Sequence, residues 1–191
     1  MPPRRGGTRL VDHSWLQPLL GETGVVGKLI SKVIGPGYRP VRALLFDKSA
    51  SDNWALGFHQ DRTIAVRGSA VPDGYSSPTI KQGVAHLQPP FSLIERMITV
   101  RVHLDAVDGR NAPLLVVPGS HLLGRVPVSD VARVWGRCGH VACHAKAGDV
   151  WIYHTAILHG SDPSETQSPR RVIQADYSCD ELPAGISWRG I

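Results

Sequence analysis

Apolar residues fall at two different spacings in this chain, helical in the first third and alternating from Arg42 onward. Trp15 to Leu20 and Val25 to Ile34 carry them at helix-like intervals, the second stretch stopping at Gly35-Pro36-Gly37, which predicts two short helices. Alternation or short apolar runs then predict strands at Arg42–Phe46, Ala55–His59, Met97–Asp105, Leu114–Val117, Val150–Tyr153 and Arg171–Tyr177. In Met97–Asp105, Ile98, Val100, Val102 and Leu104 share one face, and Thr99, Arg101 and His103 share the other. That polar face fits either a wet cavity or an ordinary solvent-facing side. One more helix is predicted over Asp130–Trp135, with Ser129 as its N-cap.

Many short strands without regular strand–helix alternation point to a mainly β fold, an antiparallel sandwich or jelly roll. The 191 residues suffice for a single domain with a sizeable core, residues 1–40 partly helical and 41–180 forming the β core. Apolar residues make up 42% and charged residues 19%, which excludes an intrinsically disordered chain.

The formal charge of +5 raises nucleic acid as a partner, but the arginines come singly or in pairs and no basic run tracks a phosphate backbone. No nucleic-acid partner is therefore expected, whereas small anionic ligands suit the balance. No stretch has the length of a membrane span, and no signal peptide is recognised at Met1–Gly7. Cys138, Cys143 and Cys179 cannot all pair within the chain, so a reducing, cytoplasmic setting is expected, with the protein a monomer or homodimer.

The candidate chemistry starts at His59-Gln60-Asp61. On an extended strand, residues i and i+2 point the same way, so the imidazole and the carboxylate face together while Gln60 faces opposite. A third ligand from a distant strand would complete a two-histidine-one-carboxylate face, a set that leaves positions open and is typical of iron(II) oxygenases. The motif alone is weak, because His103-Leu104-Asp105 repeats it in the same chain. Context separates the two. His159-Gly160-Ser161 follows one hundred residues after His59, and Arg170 stands eleven residues beyond His159. A guanidinium there is a bidentate partner for the distal carboxylate of a metal-chelated 2-oxoglutarate, with the Ser161 hydroxyl adding a hydrogen bond.

Trp54-Ala-Leu-Gly-Phe-His59-Gln-Asp61, Leu114-Leu-Val-Val-Pro-Gly-Ser-His121, Gly148-Asp-Val-Trp151, Leu158-His159-Gly-Ser161 and Pro169-Arg170-Arg171 occur in an order that resembles the phytanoyl-CoA dioxygenase family. The resemblance spans roughly Trp54 to Tyr177. It implies a double-stranded β-helix (jelly-roll, cupin-like) core with flanking helices. It also implies His59, Asp61 and His159 as iron(II) ligands, and Arg170 with Ser161 as the 2-oxoglutarate site. The implied activity is hydroxylation of a small molecule with dioxygen, releasing succinate and carbon dioxide. Asp61 disfavours halogenation, since halogenating relatives lack that carboxylate. Arg171 competes with Arg170, but strand neighbours face opposite ways and only one can point inward; the family spacing favours Arg170. The family's usual glycine after the asparagine is replaced in Asn111-Ala112-Pro113. Two other readings compete: a jelly-roll binding module that kept the metal site without turnover, and a cupin-type metal enzyme that does not use 2-oxoglutarate.

Arg101, Thr99, Lys81 and Gln88 are candidates to touch substrate or support the ligands. His103, His121 and His154 are expected to be structural, His154 as a buried hydrogen-bonded residue. Cys138, His140, Cys143 and His144 match no usual zinc spacing. The polar stretch Gly68–Pro90 reads as a long loop, either a lid over the site or a surface excursion.

Overall fold

In the computed structural model, which describes residues 7–49 and 51–191, the alternating segments become strands of three antiparallel sheets. The largest runs β1 (Thr8–Arg9), β2 (Arg39–Lys48), β12 (Arg170–Ser178), β7 (Ile98–His103) and β10 (Val150–His154). The second runs β3 (Leu56–His59), β11 (His159–Ser161), β8 (Leu114–Val116) and β9 (Val141–Cys143). The third runs β13 (Ser187–Trp188), β4 (Ile64–Arg67), β6 (Val84–Gln88) and β5 (Ser76–Lys81). The fold is mainly β with a few flanking helices, as the pattern predicts.

The two faces of the largest sheet do different work. Ala43, Ile98, Val100, Ile173, Ala175 and Tyr177 point outward and are covered by α1 (Leu16–Leu20) and α2 (Val25–Val33), through Leu16, Leu20, Val26 and Ile30. Leu16, Leu20 and Ile30 are fully buried, each contributing about 1.5–3 kcal/mol by leaving water. The Tyr177 hydroxyl donates to the Leu20 carbonyl at 2.6 Å, pinning α1 to β12. The opposite face carries Arg42, Leu44, Phe46 and Lys48 from β2, Arg101 from β7, and Arg170 and Gln174 from β12. With Leu56, His59, Leu114 and His159 from the second sheet, these residues enclose a cavity of about 550 Å³.

Three sequence expectations change. Gly68–Pro90 is loop only as far as Tyr75: from Ser76 it holds the β5–β6 hairpin, with Lys81 opposite Val84 across a two-residue turn. Gln82 and Gly83 take positive φ (51° and 76°), the conformation of a primed hairpin turn that suits the right-handed twist of paired strands. Glutamine in place of the usual asparagine hid that signal. The helix after Asp130 is α4 (Val131–Cys138), and Ser129 does not cap it. The Asp130 N–H bonds first to the Pro127 carbonyl at 2.9 Å, which draws Ser129 into a 3-10 turn and leaves Asp130 at the N-cap. Leu104 lies beyond the end of β7 and is exposed.

The remaining helix, α3 (Phe91–Arg96), packs Leu93 and Ile94 against Val41, Ile64 and Leu87. Among the described residues no helix is long and apolar enough to cross a membrane, and the three cysteines are free thiols.

Candidate metal centre

Strand pairing brings the two histidines together. His159 on β11 is the direct partner of His59 on β3, with ring centroids 4.4 Å apart. Asp61 follows β3 by two residues and points to the same side, so candidate ligand atoms of His59, Asp61 and His159 all lie within 4.8 Å of one another. Gln60 faces the other way: its amide donates to the Gly124 and Ala156 carbonyls, and its oxygen accepts from the Val126 N–H. This locks the direction of the residues on either side.

The donor chemistry fits a divalent metal. His59 Nδ1 donates to the Gly57 carbonyl at 2.9 Å and His159 Nδ1 to the Ile157 carbonyl at 3.0 Å. A carbonyl only accepts, so both rings carry their proton on Nδ1 and keep the Nε2 lone pair for a metal. Burial pushes His159 down to about 4, which keeps it neutral and ready to ligate. Burial alone would raise Asp61; the Arg42 guanidinium, at 3.3 Å, helps hold its carboxyl below the usual range. Arg42 bridges Asp61 to Asp176, which is buried and also accepts from the Thr99 hydroxyl at 3.1 Å.

Lys48 and Arg170 are cross-strand partners at another part of the cavity. Lys48 Nζ donates to Ser161 Oγ at 2.9 Å and to the Asp162 carbonyl at 2.8 Å, and lies 5.3 Å from the Trp54 ring centre. Burial pushes Lys48 down to about 7, with Arg170 and Arg101 adding repulsion. Arg170 is likewise lowered to about 9 by burial and by Arg101, and its Nε has no hydrogen-bond partner. Like charges directly opposite each other on a sheet repel. These two buried cations have no carboxylate paired to either among the described residues, an arrangement that costs free energy in the absence of an anion.

A model of the phytanoyl-CoA dioxygenase (PhyH) family matches residues 40–172. The chain belongs to that family. The dioxygenase lolE1 of Epichloe uncinata is 31% identical to this family member over 114 residues, 56% of this chain and 44% of that one. Among solved structures, AviO1 from Streptomyces viridochromogenes Tue57 aligns with a TM-score of 0.56 at 24% identity, covering 84% of this chain and 58% of its own. SnoN, described as a non-heme alpha ketoglutarate dependent epimerase from nogalamycin biosynthesis, aligns with a TM-score of 0.50 at 19% identity, over 83% and 60%. The chain thus spans under two thirds of the length of each.

The fold sorts the family member's remaining candidates. Arg101 and Lys81 line the cavity, whereas Thr99 and Gln88 do not. Thr99 is enclosed by Asp176 and by the Thr155 hydroxyl at 2.9 Å, and Gln88 lies on β6, opposite Ser76. Arg170 is 2% exposed and faces the cavity; Arg171 faces out and holds Asp105 through two guanidinium hydrogen bonds. The duplicate His103-x-Asp105 is thereby accounted for: Asp105 pairs outside, and His103 is buried, lowered to about 4 by burial, with neither ring nitrogen bonded. His154 is exposed rather than buried, stacked on His121 with centroids 4.7 Å apart. Ser120 braces the strand of His159, its hydroxyl accepting from the Leu158 N–H at 2.8 Å. Ala112 takes φ 48°, the left-handed region where the family's glycine is at ease. Among the described residues, His59, Asp61 and His159 alone form a metal-competent group, so the Cys138–His144 segment forms none.

Arg42 and Lys48 were missed by sequence reasoning, although they sit at the two ends of one alternating face, Arg42-x-Leu44-x-Phe46-x-Lys48. A charge at each end of an otherwise apolar strand face was the available signal.

Proposed function

We propose that this protein is an iron(II)- and 2-oxoglutarate-dependent oxygenase that hydroxylates a small molecule. The observation that carries the reading is a three-donor metal group sharing one cavity with the Lys48–Arg170 cation pair. Family membership supports it, and the SnoN neighbour pairs the same fold with that cosubstrate in its description. Iron(II) bound by His59, Asp61 and His159, with 2-oxoglutarate and dioxygen, supplies the oxidising chemistry and releases succinate and carbon dioxide.

The chain's own part is positioning. Gly57 and Ile157 carbonyls orient the two imidazoles, and Arg42 orients the carboxylate. Arg170 and Lys48 take the cosubstrate's distal carboxylate. Because Lys48 donates to Ser161 Oγ, the Ser161 hydroxyl proton is free to donate to that carboxylate as well. Trp54, Phe46, Leu44, Leu56 and Leu114 supply apolar wall between the charged groups and limit water around the reacting centre.

The test is anaerobic addition of iron(II) and 2-oxoglutarate, followed by difference absorbance, then by succinate measurement on admitting air. A weak visible charge-transfer band is expected in wild type and its loss in His59→Ala. Arg170→Ala should weaken 2-oxoglutarate binding by about tenfold or more, the scale of a lost charged hydrogen-bond pair. Arg171→Ala should leave it unchanged. No band and no succinate from the metal-loaded wild type would overturn the reading.

A further inference from the structure

The cavity holds more positive charge than a metal and 2-oxoglutarate can use. Arg9, Arg42, Lys48, Lys81, Arg101 and Arg170 all line it, and Asp61 is its one lining carboxylate among the described residues. Arg42 is matched by Asp61 and Asp176. A divalent ion and a dianionic cosubstrate cancel each other. The cations left over fall into two groups. Arg170 and Arg101 both act on Lys48, whereas Lys81, one residue from the Gln82 clip, responds to Arg9, Arg42 and Asp61, which places it towards the Asp61 carboxylate.

Arg9 and Lys81 come from separate elements that the fold ties together at the cavity. The Arg9 N–H donates to Gln82 Oε1 at 2.9 Å, and Gln82 Nε2 donates to the Gly7 carbonyl at 3.3 Å. β1 is thereby clipped to the tip of the β5–β6 hairpin. The clip brings two like charges towards one space, Arg9 half-buried and Lys81 exposed at its rim. Arg9 Nε is buried with no hydrogen-bond partner, and neither residue pairs with a carboxylate at this cavity among the described residues. Two unmatched cations facing one cavity repel each other, and an anion arriving between them relieves that repulsion.

Building on the oxygenase reading above, we propose that the substrate carries an anionic group, a carboxylate or a phosphate, that docks between Arg9 and Lys81. The oxidised portion of the substrate then extends from this anchor towards His59, Asp61 and His159. The site is distinct from the Lys48–Arg170 pair, so substrate and 2-oxoglutarate bind together rather than in competition.

The test uses protein loaded anaerobically with zinc(II) and saturated with 2-oxoglutarate, titrated by calorimetry at constant ionic strength. Inorganic phosphate, acetate and neutral acetamide are the probes. Binding of phosphate or acetate, with no binding of acetamide, is expected; the tighter of the two anions identifies which group the substrate bears. Arg9→Gln and Lys81→Gln should each weaken that binding by roughly tenfold while changing the 2-oxoglutarate constant less than twofold. Arg170→Ala, conversely, should spare the anion and weaken the cosubstrate by about tenfold or more. Displacement of 2-oxoglutarate by the probes, equal binding of acetamide, or unchanged anion binding in both glutamine variants would overturn the proposal. Failure of 2-oxoglutarate to bind at all would instead count against the oxygenase reading, since anion binding is then measured on the metal-loaded protein by itself.

Discussion

Lys48 is 1% exposed, yet its ammonium faces Arg170 across the strand pair rather than a carboxylate. Its ordinary value is 10.5; burial, Arg170 and Arg101 bring it down to about 7. A bound carboxylate favours the charged form, so binding must return the proton whenever the pH is above 7. The affinity for 2-oxoglutarate should therefore be greatest below pH 7 and fall by up to about tenfold per pH unit above it, until the raised pKa of the bound state is passed. Lys48→Arg should flatten that dependence and Lys48→Met should remove it with a lower plateau; calorimetry from pH 6 to 9 on metal-saturated protein checks both. A flat wild-type profile would remove Lys48 from the anion site. The sign for stability runs the other way. Because the folded value lies below the unfolded one, this residue costs the unliganded fold stability below pH 7, and the cost fades as the pH climbs towards 10.5.

The strand that carries the third donor is short, only His159–Ser161, and it borrows its rigidity from neighbours. Ser120 accepts from Leu158 N–H, the Val117 N–H donates to the Leu158 carbonyl, and β11 is sandwiched between β3 and β8. Gly160 permits that sandwich: a Cβ there would sit 2.9 Å from the Leu56 carbonyl oxygen and 3.2 Å from the Phe58 nitrogen, both backbone atoms that cannot swing aside. Gly160→Ala should cost about 1–3 kcal/mol in urea unfolding, the range for overpacking a tight site. It should also weaken metal binding, because moving β11 off β3 separates His159 from His59. Unchanged zinc affinity in a destabilised Gly160→Ala would show that the histidine pair does not depend on this register. Element by element, the long alternating strands were legible in the sequence because each buries one apolar face under helices. The three-residue strands β9 and β11 were harder to read, since three residues show no period; β8, equally short, was read only as an apolar run. The β5–β6 hairpin was hidden by its exposed, polar first strand. The triad and Arg170 were readable as a spaced pattern. Arg9 was invisible, because only the pairing of the two-residue β1 with β2, Arg9 opposite Leu44, brings it to the cavity.

At the scale of the whole molecule, strands of all three sheets line the cavity, so its walls are assembled from residues far apart along the chain. Bound metal would tie His59 to His159 across that distance, closing a loop of one hundred residues. A covalent link closing a loop of that length lowers the unfolded chain's entropy by about 4–5 kcal/mol on the chain-entropy estimate. A metal held by both strands draws on the same source. Amide exchange followed by mass spectrometry should accordingly show slower exchange in Leu56–His59 and His159–Ser161 on adding zinc(II), with little change in Ile98–His103. Equal protection with and without metal would mean that β3 and β11 stay paired on their own. His59 and His159 are partners in a ladder before they are ligands. The metal would thus act as a removable rivet, and on the oxygenase reading its loss would leave this protein easier to unfold and to degrade.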